Sequence, residues 1–201
     1  ANDTLRLTHV MCFEPMHGTY NCGSAGADFL ALAEVTQALA NCGISSTTLI
    51  RIAPGSYHEQ VNVRPIPGVT QADTVVFASA LNDSASVRLR FAPGSELTYN
   101  SVVVLNDSVQ GVSFRDMTLE NTVQGSGNVI MTYRRWCTDL NVVRCRFVGT
   151  PNTSQTCLLG DRGSRRIRID SCTFEYGSSG IHLFGVNSPS SPTLIDSLTW
   201  V

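Results

Sequence analysis

Apolar and polar residues alternate with the same spacing in three segments of the chain. The segments are GVSFRDMTLEN (111–121), DLNVVRCRFVG (139–149) and RRIRIDSCTFEYG (165–177), and their apolar positions recur after 28 and then 27 residues. Strict alternation predicts strands with one buried face, and a recurrence of about 20–30 residues is typical of a solenoid. Because such a unit cannot bury its own apolar face, successive units are expected to stack into one continuous core.

The first half of the chain carries the same strand pattern with a looser period. The strand-like segments are TLIRIAPGSY (48–57), EQVNV (59–63), TVVFAS (74–79), SVRLRFAPG (86–94) and SVVVL (101–105). Proline and glycine separate these segments, and no helical patterns alternate with them. The pattern therefore predicts an all-β solenoid and excludes a protein built from βαβ units.

One amphipathic helix is predicted ahead of the strands, from about Asp28 to Asn41. Asp28 is the expected N-cap, and Gly43 is the residue expected to end the helix. The apolar face of the helix consists of Phe29, Leu32, Val35 and Leu39. A lone amphipathic helix before a stack of strands is typical of a cap, because it covers the apolar end of the first turn.

We therefore expect an extended N-terminal segment (1–26), a capping helix (27–43) and a solenoid (44–201). The last residues, LIDSLTWV, have the pattern of a further strand without a capping device. An open solenoid end favours aggregation, so the pattern predicts that further turns or a protein partner cover it. The alternative is a short solenoid that Trp200 closes.

Composition removes several classes of function. Charged residues make up 15% of the chain and hydrophobic residues 42%, which excludes a disordered protein. The net charge of −2 and the absence of lysine give no support to nucleic-acid binding or to Schiff-base chemistry. No apolar run approaches the roughly eighteen residues that a membrane span needs. The chain begins at Ala1 as signal-peptide removal or recombinant expression would leave it, and we expect secretion.

Seven cysteines are present, and none forms a C-x-x-C pair, so a zinc ribbon or a thioredoxin-like motif is not expected. Secretion permits disulfides, and Cys12, Cys22 and Cys42 are the expected source of a bridge whose pairing stays open. The odd number leaves at least one thiol unpaired. Three cysteines at apolar strand positions are expected to be buried free thiols. They are Cys145, Cys157 and Cys172.

Two stretches of the chain carry motifs of a known family. GADFLALAEVTQAL (26–39) precedes TLIRIAPGSYHEQVNV (48–63), which contains Gly55-Ser56-Tyr57-His58-Glu59, a G-x-Y-x-E motif. SVVVLNDSVQGVSFRDMTLENT (101–122) ends in Asn-Thr. These stretches resemble the pectin methylesterase-like branch of the pectin lyase-like proteins, over roughly residues 18–185. The resemblance implies an all-β fold, a single-stranded right-handed parallel β-helix with an N-terminal capping α-helix.

Activity in that family is implied to rest on two aspartates, in a Q-D-T and a D-F-I-F-G motif. Ester hydrolysis by such a pair uses one carboxylate as nucleophile and the other as acid and base. The first motif aligns with Gln155-Thr156-Cys157, where Thr156 occupies the aspartate position. The second aligns with GIHLFG (180–185), where no aspartate stands in the Gly180-Ile181 region. We therefore do not expect this chain to hydrolyse pectin esters.

A polar surface is predicted where two corresponding turns and a strand come together. The candidate ligand-groove residues are Arg134, Arg135, Trp136, Asp161, Arg162 and His182. Arginines beside an aromatic ring suit an acidic sugar, through carboxylate contacts and ring stacking. The alternative is a set of solvated turns in which Asp139 and Asp161 neutralise the arginines. His182 is expected to point outward, where Asp161 or Glu175 would let it act as a base.

No histidine spacing predicts a metal site, and no cofactor is expected. Short glycosylation motifs recur, however: Asp-Ser/Thr-aliphatic resembles an acceptor of exported bacterial proteins, and Asn-x-Ser/Thr is a sequon. The candidate acceptors are Thr4, Thr74, Ser84, Ser108, Ser197, Asn82 and Asn106. The two asparagines are expected in surface turns that accommodate a glycan.

These observations predict a secreted or cell-surface β-helix that contacts carbohydrate without catalysis, as an adhesin-like part of a larger exported protein. Its partner would be a polysaccharide or a surface glycan. One alternative is a polysaccharide-active esterase or lyase whose catalytic residues follow Val201. Another is a structural segment bound to a surface or secretion complex.

Overall fold

The computed structural model describes residues 12, 14–92, 101–122, 129–151, 156–160, 163–183 and 197–198. One helix, α1 (Leu32–Cys42), and seventeen strands lie in these ranges. The strands are β1 (Met16–Cys22), β2 (Ile44–Ile52), β3 (Gly55–Tyr57), β4 (Val61–Val63), β5 (Val75–Ser79), β6 (Val87–Phe91), β7 (Val103–Leu105), β8 (Gln110–Arg115), β9 (Thr118–Asn121), β10 (Val129–Tyr133), β11 (Thr138–Val143), β12 (Arg146–Val148), β13 (Thr156–Gly160), β14 (Arg165–Asp170), β15 (Thr173–Glu175), β16 (Ser179–Leu183) and β17 (Ser197–Leu198).

The strands form three parallel sheets through which the chain passes repeatedly. Sheet 1 has the order β1-β2-β5-β8-β11-β14-β17, sheet 2 the order β3-β6-β9-β12-β15, and sheet 3 the order β4-β7-β10-β13-β16. Each turn contributes one strand to each sheet, and strands of successive turns pair in parallel. The described residues contain five complete turns of this kind. The predicted parallel β-helix is therefore confirmed.

The sequence repeat coincides with the register between turns. Val112 pairs with Leu140, and Leu140 pairs with Ile167, as the spacing of 28 and 27 residues predicts. All three side chains are buried, and the rings of Phe77 and Phe114 stack beside them with centroids 5.1 Å apart. A slip of one residue would move every apolar side chain to the surface, so burial fixes this register.

Helix α1 begins later than the sequence predicts. Its N-cap is Ala31, and the carboxylate of Asp28 instead accepts a hydrogen bond from the backbone N–H of Asn21 at 2.7 Å. The first two amides of the helix donate to the carboxylate of Glu59, at 3.0 and 2.9 Å. The negative charge of this carboxylate also interacts favourably with the positive, N-terminal end of the helix dipole. The helix ends at Gly43, as predicted.

The cap is built from α1 and β1, which lies within the predicted extended segment. β1 pairs with β2 and extends sheet 1 ahead of the helix, while α1 contacts β4 of sheet 3. A disulfide joins Cys12 to Cys42, so the expected bridge among the N-terminal cysteines is confirmed, and Cys22 is a buried free thiol.

Within the described ranges, no helix is long and apolar enough to cross a membrane.

The strand cysteines are free thiols, as predicted. Cys145 and Cys157 are buried in the core, whereas Cys172 is only partly buried. Burial raises the pKa of Cys157 to about 11 and the pKa of Cys137 to about 12. These two thiols therefore stay protonated at neutral pH and act as small apolar side chains.

Two bends place left-handed backbone at equivalent positions of successive turns. Between sheets 1 and 2, three residues have φ values of 56°, 50° and 52°: Asp116, Arg144 and Ser171. Between sheets 3 and 1, three residues have φ values of 67°, 64° and 75°: Ser108, Trp136 and Gly163. The same backbone device thus turns the chain at both places.

Candidate functional site

Stacking brings the predicted polar turns to the bend between sheet 3 and sheet 1. In successive turns this bend follows β7, β10 and β13. The backbone N–H of Ser108 donates to the carbonyl of Arg135 at 2.9 Å, so the segment Arg134-Arg135-Trp136 lies directly against the turn before it. The corresponding residues of the next turn, Asp161 and Arg162, lie outside the described residues.

We use the name arginine corner for Arg64, Asp107, Arg134, Arg135 and Trp136. Within it, Nε of Arg134 lies 3.3 Å from Oδ1 of Asp107, and Nη2 of Arg135 lies 3.0 Å from Oδ2. Arg64 follows β4, one turn earlier, and its side chain forms no ion pair or hydrogen bond with the part of the chain that the structure describes. Three guanidinium groups therefore surround one carboxylate.

The charged residues of the arginine corner line an open depression of about 570 Å³. Asn62, Pro65 and Asn106 complete its wall. The side-chain amide of Asn106 donates to Oδ1 of Asn62 at 2.5 Å and to the carbonyl of Val63 at 2.9 Å, which ties the first two turns together. A fixed, open surface with excess positive charge is suited to an extended anionic ligand.

Trp136 presents an exposed aromatic ring at the same corner. The residue is 47% exposed, and its ring covers Gly163 of the next turn so closely that a side chain there would overlap it. A φ of 64° places this bulky residue in the left-handed region, where such residues are outliers. Backbone strain of this kind costs roughly 1–3 kcal/mol and concentrates at functional sites. The left-handed backbone is common to this bend, but a tryptophan here, where the next turn has glycine, favours a role for the exposed ring.

Asp139 neutralises an arginine, as the solvated-turn interpretation predicts. Nε and Nη2 of Arg166 donate to its two carboxylate oxygens at 2.6 and 2.7 Å. These hydrogen bonds lower the pKa of Asp139. The pair lies at the start of β11 and β14. Neutralisation thus holds for Arg166, while the charged residues that line the depression in the described chain are three arginines and one aspartate.

His182 lies apart from the arginine corner, on the outer face of sheet 3. It is exposed and belongs to β16, which is two strands away from β10. Glu175 lies in sheet 2, where its carboxylate contacts Nη2 of Arg146 at 2.7 Å. The structure therefore gives no support to a base formed by His182 and Glu175, because the two strands belong to different sheets.

The positions that align with the family's aspartates lie on neighbouring strands of sheet 3. Thr156 pairs with Ser179, and Ile181 pairs with Leu158. The side chain of Ile181 packs against the core, so the aligned position faces inward. The outward row of this sheet contains no carboxylate in the described turns. It consists of Asn62, Val104, Thr132, Leu159 and His182.

The G-x-Y-x-E motif has a structural role in the N-terminal cap. The hydroxyl of Tyr57 donates to the carbonyl of Ala53 at 2.7 Å, and the ring of Tyr57 fills the space beside Gly23. Glu59 binds the first amides of α1, as described above. The motif therefore joins the helix to the first turn.

The candidate glycosylation sites differ in how exposed they are. Asn82 and Ser108 lie in turns and are exposed, while Thr74 and Ser84 are partly buried. The amide nitrogen of Asn106, which would carry a sugar, instead donates two hydrogen bonds to the preceding turn. These hydrogen bonds disfavour a glycan at Asn106, and an occupied glycosylation site stays a prediction. Thr4 and the side chain of Ser197 lie outside the described residues.

Sequence reasoning missed Arg64 and Asp107. Arg64 directly follows β4 as Arg134 follows β10, and Asp107 is the second residue after β7 as Arg135 is after β10, so an alignment of strand ends would have found them. The spacing between the ends of β4 and β7 is 42 residues, which hides this equivalence from a search for a period of 27 or 28. No group of three or more potential metal ligands occurs among the described residues.

Comparisons with known proteins identify the fold. No protein-family model matches the chain, and no curated protein matches its sequence. The structure of the pectin methylesterase from Aspergillus niger in deglycosylated form is similar, with a TM-score of 0.54 and 16% identity over 89% of this chain and 64% of that chain. The penultimately deglycosylated form, with an N-acetylglucosamine stub, gives a TM-score of 0.43 and 17% identity over 84% of this chain and 70% of that chain.

The chain thus spans less than two thirds of the length of the first of these structures. An identity of 16% together with this TM-score supports the shared fold alone. The protein has a right-handed parallel β-helix fold similar to that of this pectin methylesterase, as the sequence resemblance implies.

Proposed function

We propose that this chain binds an acidic polysaccharide at the arginine corner and does not act as an enzyme there. The observation that carries the proposal is the excess of guanidinium groups over carboxylates beside an exposed tryptophan. Arg64 has no partner among the described residues, and Arg135 is 52% exposed although it contacts Asp107. Guanidinium groups bind carboxylates in a bidentate manner, and the face of an aromatic ring packs on the apolar face of a sugar.

The ligand is proposed to be a polymer of uronic acids because its carboxylates repeat along a line. Arg64 follows the sheet 3 strand of the first turn, and Arg134 and Arg135 follow that of the third, so these cations too are arranged along the solenoid axis. The similar solved structure is that of a pectin methylesterase, which makes pectin the natural first polymer to test. Pectin without its methyl esters exposes the carboxylates that the arginines require.

Binding without catalysis is supported by the missing pair of carboxylates. Thr156 and Ile181 occupy the positions that align with the two aspartates of the family. Among the described residues, Asp107 is the one carboxylate that lines the depression, and it forms ion pairs with Arg134 and Arg135. Ester hydrolysis by a carboxylate pair needs a second acid beside the nucleophile, and no second carboxylate lines the depression in the described chain.

An extracellular or cell-surface location is part of the same proposal. The Cys12–Cys42 disulfide supports it, because disulfides persist in oxidising compartments. An adhesin-like protein that holds a polysaccharide at a surface is consistent with a rigid solenoid bearing one binding corner.

The test measures binding of polygalacturonate by calorimetry for the unchanged chain and for single variants. We expect Arg64→Gln and Arg135→Gln to weaken binding about five- to tenfold each, as expected for the loss of one charge-assisted contact. Arg115→Gln is the matched control, since Arg115 is exposed at the end of β8 and has no partner among the described residues. Binding should weaken as salt is raised, because the contacts are exposed.

Equal losses in the Arg115→Gln and Arg64→Gln variants would contradict a specific site. Equal affinity for polygalacturonate and for a neutral galactan would contradict recognition of carboxylates. Release of methanol from methyl-esterified pectin by the purified chain would contradict binding without catalysis.

The role of the ring is tested by Trp136→Gly. Glycine suits the left-handed backbone at this position, as Gly163 does in the next turn, so the fold should tolerate the change. We expect a loss of affinity of about tenfold together with a thermal midpoint within about 2 °C of the unchanged chain. Unchanged affinity would remove Trp136 from the proposed site.

A further inference from the structure

Cys145 and Cys172 occupy the same position in two successive turns. Each lies in the bend between sheets 1 and 2, and the backbone N–H of Thr173 donates to the carbonyl of Cys145 at 3.0 Å. Residues so placed in neighbouring parallel strands have Cα atoms about 5 Å apart. That separation lies within the range of roughly 4.4–6.8 Å that disulfides span.

The thiol of Cys172 points back toward the turn that contains Cys145. Its Sγ lies 3.5 Å from the carbonyl of Val142, which is in that turn, and 3.4 Å from the carbonyl of Asp170. The Sγ of Cys145 lies 3.5 Å from the carbonyl of Val143. A hydrogen bond between the two thiols lowers the pKa of Cys172, and burial raises the pKa of Cys145.

Exposure gives the two sulfurs different chemical roles. Cys145 is only 1% exposed, whereas Cys172 is partly accessible to reagents. The accessible thiol with the lower pKa is the one that attacks a disulfide, and a buried neighbouring thiol can then resolve the product. Cys137 and Cys157 have no cysteine at the equivalent position of the adjacent described turns, so this pairing is specific to Cys145 and Cys172.

We propose that Cys145 and Cys172 form a disulfide between turns by exchange with an external disulfide. The Cys172 thiolate attacks one sulfur of that disulfide, forms a mixed disulfide and releases one thiolate. The Cys145 thiol then loses its proton and attacks the Cys172 sulfur, which forms the Cys145–Cys172 bond and releases the second thiol. The external disulfide is reduced to two thiols, and the two cysteines are oxidised.

Trypsin makes the test specific because arginines separate the cysteines of the second half of the chain. Cleavage after arginine places Cys145 in the dipeptide 145–146 and Cys172 in the peptide that begins at Ile169. Cys137 falls in peptide 136–144 and Cys157 in peptide 147–162. The folded chain is incubated with oxidised glutathione, quenched with acid, digested without reductant and analysed by mass spectrometry.

We expect the peptide that begins at Ile169 to gain the mass of Cys145-Arg146 less two hydrogens, and to lose this mass after reduction. In Cys145→Ser, a glutathione adduct on Cys172 should accumulate, because nothing resolves it. Cys157→Ser is the matched control and should leave the cross-link unchanged. In Cys172→Ser, which alters the more exposed residue, Cys145 should remain a free thiol.

Two results would overturn the proposal. One is a glutathione adduct on Cys172 that persists in the unchanged chain to the same extent as in Cys145→Ser. The other is a chain in which both thiols remain free while Cys172 reacts with iodoacetamide in the folded state. Either result would mean that the two sulfurs cannot reach bonding distance.

Discussion

The bend between sheets 1 and 2 and the bend between sheets 3 and 1 share a backbone geometry but differ in charge. In the first, the side chain of Asp116 is only 3% exposed, and Arg144 donates to both of its oxygens at 2.6 and 2.8 Å. In the second, Asp107 is 40% exposed and is shared by two arginines, while Arg64 lacks a partner in the described chain. One bend satisfies its own charges, and the other leaves positive charge for a ligand.

The difference in charge between the two bends shows which part of a solenoid of equivalent turns is available for a function. Both bends hold left-handed residues at stacked positions, so the backbone alone does not distinguish them. What differs is whether the residues around that position neutralise each other within the chain. A bend with balanced charges contributes to stability, whereas a bend with unbalanced charges beside an exposed ring is available for binding.

The largest expected effect is on the balanced bend, where Asp116→Ala should lower the free energy of unfolding by about 2–3 kcal/mol. The change removes a buried carboxylate from Arg144 and places alanine at a φ of 56°, which aspartate tolerates better. Asp116→Asn keeps the tolerance for this backbone and should lose less. Urea denaturation measures all three proteins. A loss no larger than that of Ser171→Ala would contradict a contribution from the ion pair.

In the bend between sheets 3 and 1, Asp107→Asn should strengthen ligand binding, in contrast to the loss of stability expected for Asp116→Ala. The change removes the negative charge that offsets the arginines of the depression, so affinity for polygalacturonate should rise about threefold. The free energy of unfolding should fall by less than about 1 kcal/mol, because the pair is partly exposed. Titration calorimetry and urea denaturation measure the two quantities. Weaker binding would show that Asp107 holds the arginines in place for the ligand.

The smallest effect is expected for Arg166→Gln, measured as a function of pH. Arg166 lowers the pKa of Asp139 in the folded chain, so the pair stabilises the fold above the ordinary carboxyl pKa. That stabilisation is lost as pH falls through the lowered pKa. The variant should therefore be less stable than the unchanged chain by roughly 0.5–1 kcal/mol at pH 7, and the difference should vanish between about pH 4 and pH 2.

Urea denaturation at several pH values measures this difference. A gap of the same size at pH 7 and pH 2 would mean that Arg166 acts through packing rather than through the charge of Asp139.

The sequence predicts the later turns well because alternation and spacing both specify them. Val112, Leu140 and Ile167 align in the structure as they do in the repeat. The start of α1 could not be predicted, because Glu59 supplies acceptors to its first amides from a position more than 25 residues away. The residue preference at helix N-caps favours Asp28 as the start of the helix. Only the folded chain shows that Asp28 accepts a hydrogen bond from Asn21 instead.

The candidate site was predicted only in part, for a similar reason. Arg134, Arg135 and Trp136 form a visible run in the sequence, and two turns of similar length suggested that they stack. Arg64 joins them through the first turn, whose different length conceals the equivalence. The alternation around His182 predicts an outward side chain, and the residue is exposed as expected, but it lies on β16, two strands away from β10.

The use of Glu59 to cap α1 has a consequence for assigning functions to new genes. In the G-x-Y-x-E pentapeptide, the tyrosine packs beside Gly23 and the glutamate binds the first amides of the helix. The pentapeptide therefore indicates how the N-terminal cap joins the first turn of the solenoid. A search that selects proteins by this pattern therefore selects for a way of starting a solenoid and not for an activity. Genome annotation of such chains should rest on the presence of paired aspartates, which this pentapeptide does not predict.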